Sequence, residues 1–151
     1  MNKERICLKG HGYFERRKKD GTVIEKWETD NTVVTAGKVI VSKLLNGVDT
    51  PSFFNAIAIG EGESGDVVVV GDTALKSEVA RESATPSYEA TAKAVFEHTF
   101  NFDTAEEYAI TEAGIFDSES AGGNMLDRFV FTAKNVDADT DLYAKITITV
   151  S

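Results

Sequence analysis

Residues 142–150 alternate without a break. Leu142, Ala144, Ile146, Ile148 and Val150 fall on one side, and Tyr143, Lys145, Thr147 and Thr149 on the other. Alternation with period two over this length is the pattern of a half-buried β-strand. Such a strand needs neighbours along its edges and a second layer over its apolar face. The same signal recurs upstream. Residues 5–29 read as a β-hairpin around Asp20-Gly21, a pair that favours a type I′ turn. Residues 54–59, 78–82 and 88–102 read as strands, with Phe96, His98, Phe100 and Phe102 on one face of the last. Residues 107–116 and 124–133 form a further pair, joined by a turn rich in Ser and Gly.

One segment has helical spacing. Thr35 is a candidate N-cap, Ala36, Val39, Ile40, Leu44 and Leu45 form the apolar stripe, and Gly47 sits where a left-handed C-cap belongs. Pro51 and Pro86 both fall in expected loops. The expected fold is mainly β: an antiparallel β-sandwich with one short α-helix packed on it. The expected organisation is a single domain over 1–151, with an N-terminal hairpin arm (1–30) and a helix-plus-sandwich body (31–151). A domain of this size buries about 70% of its unfolded surface, enough for a core without staples.

Net charge is −9, but residues 1–26 carry eight basic and four acidic side chains. An acidic body does not suit the phosphate backbone of nucleic acid. A basic segment on an acidic body suits another copy of the same chain. No apolar run approaches the ~20 residues of a bilayer span. No apolar h-region follows the N-terminus, so folding in a cytoplasm is expected. The lone Cys7, between Ile6 and Leu8, is expected to be a small packed side chain.

The reactive motifs are few. Gly60-Glu61-Gly62-Glu63-Ser64-Gly65 matches G-x-G-x-x-G after a strand, but the following Asp66-Val67-Val68-Val69-Val70 is unlike a helix, and its acids repel phosphate. The expectation is a flexible acidic loop with no nucleotide, and it is no EF-hand loop either. Of the two histidines, His98 on the Phe face is expected to be a hydrogen-bonded core or interface residue, His11 in Gly10-His11-Gly12 marks a bulge or bend, and no serine has an elbow-like G-x-S-x-G setting for a triad. Glu112 sits mid-strand among apolar residues, where an unpaired carboxylate costs several kcal/mol. It is expected to pin a loop or an adjacent strand, with Gly114 marking a close backbone approach.

Three segments taken in order resemble a family. They are Asn55–Gly62, then Asp72–Arg81, then Ile110–Asp117 with Gly123–Arg128. Together they resemble small structural proteins of tailed phages and, more distantly, the N-terminal attachment domain of tail-collar fibre proteins. Those have a strand ending in a Gly-acid-Gly loop, a Leu-x-x-Glu-Val-x-Arg segment and a Glu-x-Gly-[Leu/Ile]-[Phe/Tyr]-Asp strand before a turn. The resemblance covers roughly residues 35–133. It implies structural parts for Gly60, Gly62, Arg81, Glu112, Gly114 and Asp117, with Glu112 pairing with Arg81 or capping a backbone turn. Family fibres continue into a trimeric shaft, so a stand-alone attachment domain is expected here.

The resulting expectation is a non-enzymatic virion component, present in several copies on the particle as a tail, collar or fibre connection. Capsid decoration is the first alternative, and a receptor- or glycan-binding module the second. Expected partners are other copies and other virion proteins, with no nucleic acid, membrane, cofactor or metal. The candidate contacts are Arg16, Arg17, Lys18 and Lys19 at the hairpin end. Trp27, with Phe53 and Tyr88, is the candidate for stacking on a sugar.

Overall fold

In a computed structural model, which describes residues 4–49, 51–63 and 65–151, the alternating segment becomes β10 (Thr140–Val150), the middle strand of a five-stranded sheet. Lys3 of the basic N-terminus and Ser64 of the Gly-acid loop lie outside the described residues. The other elements are β1 (Leu8–Lys18), β2 (Val23–Asp30), β3 (Thr32–Val33), α1 (Thr35–Asn46), β4 (Ala56–Gly60), β5 (Glu78–Ser83), β6 (Thr85–Glu89), β7 (Lys93–Asn101), β8 (Tyr108–Phe116) and β9 (Met125–Val136). They form two antiparallel sheets, ordered β2-β1-β10-β7-β6 and β3-β9-β8-β4-β5. The chain is a β-sandwich with one short helix.

Alternation puts Phe14, Phe96, Phe100, Leu142, Ala144 and Ile146 on the inner face of the first sheet. They meet Ile57, Ile59, Ile110, Ala113, Ile115 and Phe129 from the second sheet in one apolar core. β1 pairs with β10 through eleven register positions, so the hairpin forms the outer part of the first sheet. The two sheets are stitched at both margins by strands that change sheet. β2 runs into β3 through Asn31, and β5 runs into β6 through Ala84. Strands that switch sheets at bends are a known way to make the corners of a sandwich.

The helix differs from its sequence reading. Val34 holds the N-cap position in an extended conformation, without a side-chain cap, and Thr35 is the first helical residue. Gly37 and Ile40 face inward, while Val39 and Leu45 are exposed at 45% and 77%. The reason is steric. A Cβ on Gly37 would lie 2.5 Å from the Leu126 carbonyl oxygen, so the helix turns its smallest residue toward β9 and sits against that backbone. Gly47 caps the C-terminus with φ 69°, as its position demands.

Other boundaries also moved. The 88–102 segment is two strands, because Thr91 and Ala92 turn the chain with φ of 68° and 60° and no glycine. Pro86 lies in β6, a sheet edge, where a missing N–H is tolerated. In the β1–β2 turn only Gly21 has positive φ, and its N–H donates to the Lys18 carbonyl. That is a turn closed by a left-handed glycine, not type I′, which needs positive φ at both central residues. Cys7 is exposed, because only its backbone is engaged, with Ser151 at the end of β10.

Candidate functional site

The family-like segments converge on one buried ion cluster. β8 and β9 pair so that Gly114 stands opposite Arg128, and Glu112 opposite Val130. Glu112 and Arg128 are therefore diagonal neighbours on one face, within reach of long side chains. Both are fully buried. Arg128 donates from Nε and Nη2 to Glu112 Oε2, at 2.9 and 2.7 Å. It also donates from Nη1 to Asp72 at 3.0 Å and from Nη2 to Asp66 at 2.5 Å.

The second Glu112 oxygen accepts the Ser77 N–H at 2.9 Å. One carboxylate thus ties β8, β9 and the start of the β5 approach together. Gly60 and Gly62 are small because they lie over it. A Cβ on Gly60 would meet Glu112 Oε1 at 2.7 Å, and one on Gly62 would meet its Cδ at 3.1 Å. Burial disfavours the charge on Arg128, but its bonds to Asp66, Glu112 and Asp72 outweigh that and raise its pKa. The same guanidinium holds the Asp66 carboxyl below its usual range.

Several described residues of the acidic loop are tied to the second sheet. Besides Asp66 and Asp72, Glu61 accepts the Ala109 N–H at 2.7 Å, and Thr111 donates to the Gly62 carbonyl at 2.9 Å. Leu75 seals a small apolar cluster with Val34, Ala58, Phe116 and Met125. No helix follows Gly65, so the glycine pattern has no anion-binding terminus. Among the described residues no set of His, Cys, Asp and Glu is arranged to hold a metal.

Arg81 does not pair with Glu112. Its guanidinium lies 3.7 Å from the Phe116 ring centroid and is held by Glu78 on its own strand. From Nη1 it donates to the carbonyls of Ser118, Ser120 and Gly122, bracing the β8–β9 turn. Asp117 ties the base of that turn by accepting both Asn124 N–H groups, backbone at 2.6 Å and side chain at 2.9 Å. Gly114 is a close approach as expected: a Cβ there would lie 2.7 Å from the Asp127 carbonyl oxygen.

The hairpin candidates are mostly spoken for within the chain. Arg16 pairs with Glu25 at 3.6 Å and donates to the Asn135 carbonyl at 3.1 Å, plugging the corner between β2 and β9. Arg17 pairs with Glu15 and covers the Tyr143 ring, and Lys19 pairs with Asp141. Lys18 is exposed. Trp27 is not a free platform: it is stacked on Phe14 at 5.4 Å between centroids and packed against Phe131. Phe53 and Tyr88 are exposed at 79% and 74%. His98 is half-buried, with its ring edge-on to Phe100.

Sequence reasoning passed over Arg128 and Asp127. A charged pair inside the apolar run from Met125 to Phe131 is the same signal that singled out Glu112. Asp127 is fully buried, accepts the Ile115 N–H at 3.0 Å and takes a second bond from the Asn31 amide. Burial, only partly offset by those two bonds, pushes its pKa up to about 7. Compared with known proteins, the chain matches no protein-family model and no curated sequence.

Proposed function

We propose that this chain is a non-enzymatic structural component of a tailed-phage virion, assembling in several copies on the particle surface as an attachment element. One observation carries the reading. The charged residues of the family-like segments serve the fold: Glu112 clamps Arg128, Arg81 braces a turn, and Asp117 closes the same turn. Charges used in this way favour a rigid block whose work is done by its outer surfaces.

Lys9, Lys18 and Lys26 are exposed and make no ion pair among the described residues, on a chain of net charge −9. They are the free part of the basic hairpin. In this reading they meet acidic surface on a neighbouring subunit, setting orientation and on-rate more than affinity. Repetition around the particle then adds avidity.

The test is immunogold labelling of particles from the genome that encodes the chain. Labelling at a fixed place on intact particles supports the proposal, and label found only in the soluble fraction defeats it. The exposed rings of Phe53 and Tyr88 favour a second reading, a glycan-binding module. A glycan array with Tyr88→Ala as control separates the two.

A further inference from the structure

β2 is an outer strand of the first sheet, and alternate backbone groups along it point away from β1. The Asn31 N–H donates to the Gly10 carbonyl, and the register then runs Thr29 with Gly12, Trp27 with Phe14 and Glu25 with Arg16. Hydrogen-bonded pairs alternate along an antiparallel ladder, so these residues turn their backbone groups inward to β1. Lys26, Glu28 and Asp30 present theirs at the outer edge. The side chains sort by face. Trp27 lies over Phe14 toward the core, while Glu28 and Asp30 meet His11 on the outer face of the sheet. Lys26 shares that outer face by alternation and is exposed. The opposite edge strand of the same sheet, β6, carries Pro86, which has no N–H to offer.

We propose that the β2 edge docks a second copy of this chain: two β2 strands pair antiparallel about a two-fold axis at Trp27, and the two first sheets become one continuous sheet. Symmetry and charge together select that register. A two-fold axis through an antiparallel seam passes at one residue, which then faces its own copy. Centred on Lys26, the pairing sets lysine opposite lysine. Centred on Glu25 or Glu28, it sets glutamate opposite glutamate, and centred on Thr29 it sets Glu28 opposite Asp30. Centred on Trp27, it sets Lys26 opposite Glu28 on both sides of the axis. These two residues also have the outward backbone groups, so each opposed pair exchanges two main-chain bonds.

Charges along an edge blunt it against foreign strands. On β2 the same charges fit one register of a second copy and repel in its neighbours. The other acids of the strand are already held within the chain, Glu25 by Arg16 and Lys134, and Asp30 by His11. The pairing therefore gives Lys26 an acidic partner and adds no uncompensated carboxylate. It deepens the reading of the chain as an assembling block and rests on that reading for its role. A failure on the purified chain leaves the particle labelling unaffected, so the two are separable.

Sedimentation velocity of the purified full chain, from about 10 to 500 μM, reads the association. A single strand seam is smaller than a standard interface, so a reversible dimer that grows with concentration is expected. Lys26→Glu creates two Glu–Glu pairs across the seam, and Glu28→Lys two Lys–Lys pairs. Each should weaken the dimer about tenfold or more. An equimolar mixture of the two variants should form a heterodimer, and both substitutions in one chain should restore the homodimer. A chain that stays monomeric throughout, a dimer that both reversals leave intact, or a mixture no more associated than its components overturns the pairing. Circular dichroism verifies folding of each variant. If either does not fold, amide exchange in the unmodified chain decides. Protection of the Lys26 and Glu28 N–H groups that rises with concentration supports the seam, and protection independent of concentration overturns it.

Discussion

Arg128 and Glu112, both fully buried, are joined by two hydrogen bonds to a single carboxylate oxygen, and the other oxygen of Glu112 holds the Ser77 backbone. Removing one partner of such a pair leaves a buried charge uncompensated, which costs about 3–5 kcal/mol. Glu112→Ala is expected to lose that much in urea unfolding followed by circular dichroism. Arg128→Lys should cost a comparable amount, because a point ammonium cannot serve Glu112, Asp72 and Asp66 together. A loss below about 1 kcal/mol in both variants would remove the cluster from its place as the clamp of the second sheet.

Asp127 gives global stability a distinctive pH dependence. Its folded pKa, raised to about 7, lies above the unfolded value, so its contribution is fully present below the ordinary carboxylate range and is lost as pH rises toward 7. Asp66, held low by Arg128, acts oppositely: its contribution is present above the ordinary range and is lost as pH falls below it. Stability should therefore peak in mild acid. Between about pH 5 and 7 it should fall by up to about 1.4 kcal/mol per pH unit. Urea titrations across that range should show the slope in the unmodified chain and a much shallower profile in Asp127→Asn, where His11 and His98 are left to titrate.

Gly37 sets helix propensity against packing. Alanine in a helix interior is favoured over glycine by about 1 kcal/mol. Here the added Cβ would lie 2.5 Å from the Leu126 carbonyl oxygen, a backbone atom that cannot swing away. Gly37→Ala should therefore destabilise by about 1–3 kcal/mol, the range for overpacking. A melting temperature equal to or above that of the unmodified chain would show that α1 lifts off β9 at little cost.

The hairpin separates fold from assembly. Trp27→Ala removes a stacked, partly buried ring and should cost about 2–3 kcal/mol whatever its effect on sugars. Lys18→Glu changes an exposed tip residue and should leave stability within about 0.5 kcal/mol while weakening incorporation into particles. Arg16→Glu is the poorer probe, since it also unpairs the corner plug with Glu25 and Asn135.

What the sequence made legible follows from the range of the interactions. The alternation of β10, the Phe face of β7 and the Gly47 cap depend on neighbours a few residues apart, and all three are visible in the chain order. The cluster around Arg128 brings in Asp66 and Asp72 from a loop 62 and 56 residues away, so pattern alone could not choose Arg128 over Arg81 as the partner of Glu112. The helix face was misread for the same reason, because Gly37 matters only once β9 lies beneath it. The turn at Thr91-Ala92 escaped notice because two residues without glycine's freedom adopt positive φ there. Asp127 carried a local signal, a charge inside the apolar run from Met125 to Phe131, but its partner Asn31 lies 96 residues away and carried none.

The measurement that bears most directly on the proposed role is the copy number of the chain in particles purified through a density gradient, by quantitative mass spectrometry against the major capsid protein. A fixed number compatible with the symmetry of tail, collar or capsid, retained through repeated sedimentation, is the predicted result. A chain that is absent, or that washes away in varying amounts, would contradict it.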